Sequence, residues 1–190
     1  MKIRTITYAA LSVCILLTSC VKEKLENIYN KQEDKIDQFI EKNRYQKRTE
    51  NGETVTDTLR VIYNSGSSRL VTKEGEGEEL KENGAIAFYY AGYIFSNGIS
   101  NSNLFTTNHK ETAVSSGWTL TDEQDDILTI SLNDFKLLPG LKSGLAGVRA
   151  REECQIFFSG KYGFGKKSSG IVPANSALVY KIWVESISNE

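Results

Sequence analysis

The segment Leu178-Val179-Tyr180-Lys181-Ile182-Trp183-Val184 alternates with a period of two, the mark of a strand, yet it carries apolar or aromatic residues on both sides. Three further runs share the pattern: Ile86/Phe88/Tyr90, Leu128/Ile130/Leu132 and Cys154/Ile156/Phe158. These four sets supply the inward faces of one antiparallel sheet. On the opposite side stand Tyr89, Phe157, Val179 and Trp183, area that costs about 25 cal/mol per Å² to leave in water. Such a sheet needs a cover on each face. For the outer face two covers stay open: an N-terminal helix of the same chain, or a partner protein or second copy.

Residues 21–47 supply a candidate for that helix. Leu25, Ile28, Tyr29, Ile36, Phe39 and Ile40 recur at helical spacings on one stripe, with Lys and Glu around them. Residues 48–58 are polar with one Asn-Gly pair and read as a linker or turn. From Leu59 the pattern turns to strand, in Leu59–Tyr63 and again in Arg69–Thr72. Gly92 ends the strand that begins at Ala85, and Ser96-Asn97-Gly98 reads as the turn of a hairpin. Residues 109–126 are polar and unpatterned, an exposed excursion whose only histidine, His109, reads as solvated.

The first residues have a different grammar. Lys2 and Arg4 precede an apolar run, Tyr8 to Leu17, too short to span a bilayer, and Leu17-Thr18-Ser19-Cys20 follows it. This reads as a leader over residues 1–19. The tetrapeptide resembles the bacterial lipobox, which implies cleavage before Cys20, diacylation of its thiol and a protein anchored to a membrane of the cell envelope, the outer membrane. An ordinary secretory leader is the other reading. Residues 20–58 then form a tether with the amphipathic helix, and 59–190 the folded domain. Loss of Lys2 and Arg4, with no acid among the first nineteen residues, moves the net charge from −1 to −3. Neither a nucleic-acid binder nor a disordered acidic chain fits that balance. With Cys14 in the leader and Cys20 acylated, Cys154 is left without a disulfide partner, and its inward place in an apolar strand makes it a buried thiol.

Several ordered motifs add up across Leu59 to Ile187. Lys73-Glu74-Gly75-Glu76-Gly77 with Asn83-Gly84, the strand Ile86-Ala87-Phe88-Tyr89-Tyr90-Ala91-Gly92, Leu104-Phe105-Thr106-Thr107, Leu137-Leu138-Pro139-Gly140-Leu141, Tyr162-Gly163-Phe164-Gly165 and Ile171-Val172-Pro173-Ala174-Asn175 with Leu178 stand in this order. Together they resemble an FKBP-type peptidyl-prolyl cis-trans isomerase domain. The resemblance implies an α+β fold, a curled antiparallel sheet of five or six strands around one short helix, Pro139 to Val148, with the N-terminal helix as an extension; Pro139 suits the first turn of that helix, where its missing N–H would be unpaired anyway. It implies a proline-binding pocket in which Tyr90, Phe105, Leu138, Phe164 and Tyr180 act on the bond and Leu128, Leu137, Leu141, Ile171 and Val172 bind the substrate. The backbone N–H of Leu138 would donate to a bound carbonyl. The other reading of these ten residues is ordinary core. Three positions depart from the family: Leu141 stands for a tryptophan at the pocket floor, Phe164 for a corner tyrosine and Thr106 for an aspartate. They imply a weaker isomerase with a different ligand preference.

Prolyl isomerisation needs no nucleophile, metal or cofactor, because its barrier is rotation about a partial double bond. The sequence matches that economy: it shows no Ser/His/Asp arrangement, no Cys/His metal spacing and no phosphate loop after a strand. Two functions remain open: an isomerase of the envelope acting on proline-containing polypeptides, or a non-catalytic binding module that keeps the same scaffold.

Overall fold

The computed structural model describes residues 3–50 and 52–189, with side chains from Lys22 onward. In chain order the elements are α1 (Ile3–Asn43), β1 (Tyr45–Glu50), β2 (Glu53–Thr58), β3 (Val61–Asn64), β4 (Ser67–Lys73), β5 (Glu76–Glu79), β6 (Ala85–Ile94), β7 (Leu104–Thr107), α2 (Lys110–Ser115), β8 (Leu128–Ser131), α3 (Pro139–Leu145), β9 (Arg149–Ala150), β10 (Glu153–Phe158) and β11 (Leu178–Ser188). The main sheet has seven antiparallel strands, β3-β4-β10-β11-β6-β7 with β8 also paired to β6. β7 takes the edge of β6 at Ala91–Tyr93 and β8 takes it at Ala85–Phe88. The two therefore share one edge, and the sheet is six strands across. The leader and Cys20 side chains lie outside the described residues.

All four alternating sets meet in one core. Ile86, Phe88, Leu132, Cys154, Ile156, Phe158, Leu178, Tyr180, Ile182 and Val184 are buried there, with Tyr90, Leu128 and Ile130 packed at its margin. Burial pushes the Cys154 thiol far above its ordinary value, so it stays protonated. Helix α3 plugs this concave face. A β-carbon at Gly140 or Gly144 would overlap the side chains of Phe158 and Ile156, so these two glycines, one turn apart, let the helix lie against β10 at backbone distance. The helix ends at Leu145, three residues short of the expected Val148, because Ala146 is extended and Gly147 takes φ +74°.

The carbonyls at that end of α3 are capped by a side chain. Arg69 of β4, 1% exposed, donates from Nη1 to the carbonyls of Gly144 (2.8 Å) and Ala146 (2.9 Å) and from Nη2 to that of Gly147 (3.1 Å). Its Nε lies 3.4 Å from Oε1 of the fully buried Glu152. Burial pushes the Glu152 carboxyl up, while Arg69 and then Arg60 pull it down.

The outer face is covered from within the chain. Ile36 and Ile40 of α1 are buried with Leu70, Ala91, Tyr93, Phe95, Phe157 and Val179. Phe39, Phe95 and Phe157 form a ring cluster with centroids 5.4–5.5 Å apart. The stripe predicted for the helix needs one correction, since Ile28 is 45% exposed. At the far end of this face Trp183 stacks on His109 at 3.9 Å, with Tyr89 edge-on to the imidazole. His109 is therefore not simply solvated: burial holds its imidazole below the ordinary value.

Three loop expectations change. Residues 48–50 and 53–58 belong to a β-hairpin, β1–β2, paired from Tyr45↔Thr58 to Glu50↔Glu53 and tied by an Arg48–Asp57 contact of 2.6 Å. Its strands have no buried face, so no apolar alternation marked them. The strand containing Gly92 continues to Ile94, paired with β11; glycine stands at 92 because a β-carbon there would come within 2.9 Å of Phe105, Thr106 and Tyr180. The connection from β6 to β7 is wide rather than a tight Asn-Gly turn, with Phe95 buried and a 3-10 turn at Asn101–Asn103.

Candidate active site

Above α3 the sheet opens into a cleft of about 620 Å³. Tyr90 and Tyr180, neighbours on β6 and β11, form its floor, with ring centroids 6.3 Å apart, and Phe158 stacks on Tyr180. Phe105 of β7 stands perpendicular to Tyr180 at 5.8 Å and meets Phe164 edge-on at 6.2 Å. Leu137, Leu138 and Leu141 at the start of α3 form the opposite wall, Leu128 of β8 closes one side, and Ile171, 63% exposed, stands at the rim. Nine of the ten predicted side chains thus line one cavity. The exception is Val172, 1% exposed, which belongs to the core. Paired Ser169–Val172 backbone bonds close a tight turn, and adjacent residues in it part to opposite sides, Ile171 to the rim and Val172 inward.

Sequence reasoning missed Trp118, which hangs over the cleft from the excursion, and Phe88 and Lys136, which also line it. A lone tryptophan in a polar stretch was the available signal for Trp118. Lys136 is the only charged side chain on this cavity among the described residues. Two donors are unused there: neither the Leu138 N–H nor the Tyr180 hydroxyl meets an acceptor among the described residues. Burial, reinforced by Tyr90, pushes the Tyr180 hydroxyl far above its ordinary value, so it remains a neutral donor. Among the described residues no His/Cys/Asp/Glu group suited to a metal ion occurs. The arrangement can desolvate a small apolar group and offer hydrogen bonds to a carbonyl beside it.

The walls bearing Phe164 and Ile171 are held by α1. Gly160 N–H donates to Gln32 Oε1 (2.8 Å), and Gln32 Nε2 donates to the carbonyl of Asn175 (2.7 Å). Asn175 N–H donates to the carbonyl of Gly165, whose N–H donates to that of Gly160. The four bonds close a ring through the side chain of one helical residue. Tyr29 donates to Asn175 Oδ1 (2.8 Å) and Ser159 to Glu33 Oε1 (2.9 Å) beside it. The loop 166–174 is pinched at its base by this clamp.

The sequence model of the family described as FKBP-type peptidyl-prolyl cis-trans isomerase matches residues 77–185, more than half of the chain. FK506-binding protein 1 of Aspergillus oryzae is 22% identical over 117 residues, 62% of this chain and 94% of that protein. Among solved structures, FkpA from Escherichia coli aligns with TM-score 0.51 at 18% identity, over 99% of this chain and 74% of its own. The N-terminal domain of FKBP42 from Arabidopsis thaliana aligns with TM-score 0.51 at 18% identity, over 68% of this chain and 93% of its own. At these identities the structural likeness bears on the fold.

Gln32→Ala leaves the Gly160 N–H and the Asn175 carbonyl without their partner. It is expected to lower stability by about 1–3 kcal/mol and to speed amide exchange across residues 166–172. Unchanged exchange in that loop would contradict the clamp.

Proposed function

The chain belongs to the FKBP-type peptidyl-prolyl cis-trans isomerase family, and on that footing we propose that it turns X–Pro bonds of polypeptides between cis and trans in the apolar cleft, as a folding factor at a membrane of the cell envelope. The observation that carries this reading is the cleft itself: an aromatic and aliphatic lining with two unused donors in it. The barrier to turning an amide is about 18–20 kcal/mol and comes from conjugation of nitrogen with the carbonyl. A prolyl ring seated over Tyr90 and Tyr180 carries that amide out of water, where its planar, more polar form loses solvation. The Leu138 N–H and Tyr180 hydroxyl then hold the carbonyl while the nitrogen side rotates. Binding that favours the twisted form over either planar one lowers the barrier, with no bond made or broken.

Phe164 leaves the corner without a hydroxyl, an interaction worth about 0.5–1.5 kcal/mol. In a proline-peptide isomerisation assay, the chain from Val21 onward is expected to exceed the uncatalysed rate, and Phe164→Tyr to raise kcat/KM by up to about tenfold. No rate above background in either form would leave a binding module that grips X–Pro segments without turning them.

The anchor in this proposal is a diacylated Cys20, supported by Leu17-Thr18-Ser19-Cys20 after the short apolar run. Two acyl chains suffice for stable attachment, and among the described residues no helix is long and apolar enough to cross a membrane. The N-terminal peptide is expected to carry the mass of a diacylglyceryl group, and Cys20→Ala to move the chain to the soluble fraction. An unmodified Cys20 would refute the anchor.

A further inference from the structure

The excursion between β7 and β8 builds a second cavity, about 610 Å³, that shares Tyr90, Phe105, Thr106, Trp118 and Leu128 with the first. We propose that this is a subsite for a cationic side chain flanking the X–Pro bond, so that the favoured substrate is an extended polypeptide with Lys or Arg near its proline. The inference rests on the prolyl reading of the adjoining cleft.

Two features separate the second cavity from the first. Its far wall is polar and acidic, formed by Asn108, Glu123, Gln124 and Asp126, and no basic residue lines it. Neighbouring Asp125 is paired with Lys110 at 2.9 Å, while the carboxylates of Glu123 and Asp126 have no ion-pair partner among the described residues. The acidic wall is also fixed to the sheet. Asn108, 4% exposed, accepts from the Tyr90 N–H (2.6 Å) and donates to the carbonyl of Asp126 (3.0 Å). That side chain ties the excursion to the same β6 residue that floors the prolyl cleft.

Trp118, 37% exposed, sits at the join. An aromatic face backed by carboxylates suits a Lys or Arg side chain: the apolar stem lies along the ring, the charge meets the π face, and the head reaches the acids. Lys136 lines the apolar cavity instead, so the charge changes sign along the cleft. An extended chain advances about 3.3–3.6 Å per residue, which puts neighbours of the proline in reach of the second cavity.

The test uses fluorescence anisotropy of labelled hexapeptides with a Leu-Pro core flanked by Lys, Ala or Glu, titrated with the full chain in neutral detergent. The Lys peptides are expected to bind about five- to tenfold tighter than the Glu peptides at low salt, with the gap narrowing as salt screens it. E123Q/D126N is expected to shrink that ratio towards one, and E123K/D126K to invert it. Equal binding of Lys and Glu peptides to the unaltered chain overturns the subsite, as does a preference that survives E123Q/D126N. The salt series on the unaltered chain decides the matter even if a variant fails to fold. Failure of all three peptides to bind is a different result, because it overturns the prolyl reading of the cleft and the subsite with it.

Discussion

The buried guanidinium of Arg69 is the contact on which the site's geometry hangs. A helix of seven residues has little stability of its own, and its last carbonyls need donors when they are buried. Arg69 of β4 donates to the helix carbonyl of Gly144 and to those of Ala146 and Gly147 just beyond the helix, and Glu152 balances the charge. Removing one partner of such a pair typically costs about 3–5 kcal/mol, since the other charge is left alone in the interior. At the opposite end of the same helix are Leu138, with its free N–H, and the wall it shares with Leu137 and Leu141. The pair that fixes one end of α3 thereby places the leucine wall of the cleft at the other.

The sheet is covered on both faces, and the two covers do different work. On the inner face Gly140 and Gly144 let α3 approach β10 closely, which leaves the remaining concave volume as a cleft. On the outer face α1 buries Phe157 and Val179 with Ile36 and Ile40, and through Gln32 it also closes the hydrogen-bonded ring at the base of the Phe164 and Ile171 walls. The element that would follow a lipid anchor is thus in direct contact with the turns that shape the site.

What could be read from the sequence was whatever had a local period or a local motif. The four alternating sets point into one core because strand geometry assigns a face from spacing alone, and Pro139 marks the first turn of α3 because its ring demands that place. The outer face of the strands foretold a cover, and the stripe of α1 offered one of the two candidates, the one the fold uses. Contacts between distant residues left no such trace. Nothing near Arg69 announces Glu152, and nothing near Gln32 announces Gly160 and Asn175. The β1–β2 hairpin escaped because neither strand has a buried face. Val172 was assigned to the pocket with its neighbour because a motif treats adjacent residues alike, whereas the turn sends them to opposite sides. Trp118 lies in a segment without periodicity, and only the fold brings it over Tyr90.

The apolar cleft between β6, β7, β11 and α3 is where the X–Pro group is proposed to bind. Amide chemical-shift mapping by NMR during titration with a Leu-Pro peptide tests it most directly. The largest shifts are expected at Tyr90, Phe105, Leu138, Phe164 and Tyr180, with the Leu138 N–H moving downfield as it gains a hydrogen bond. Shifts confined to the opposite face, around Tyr89, His109 and Trp183, would contradict it.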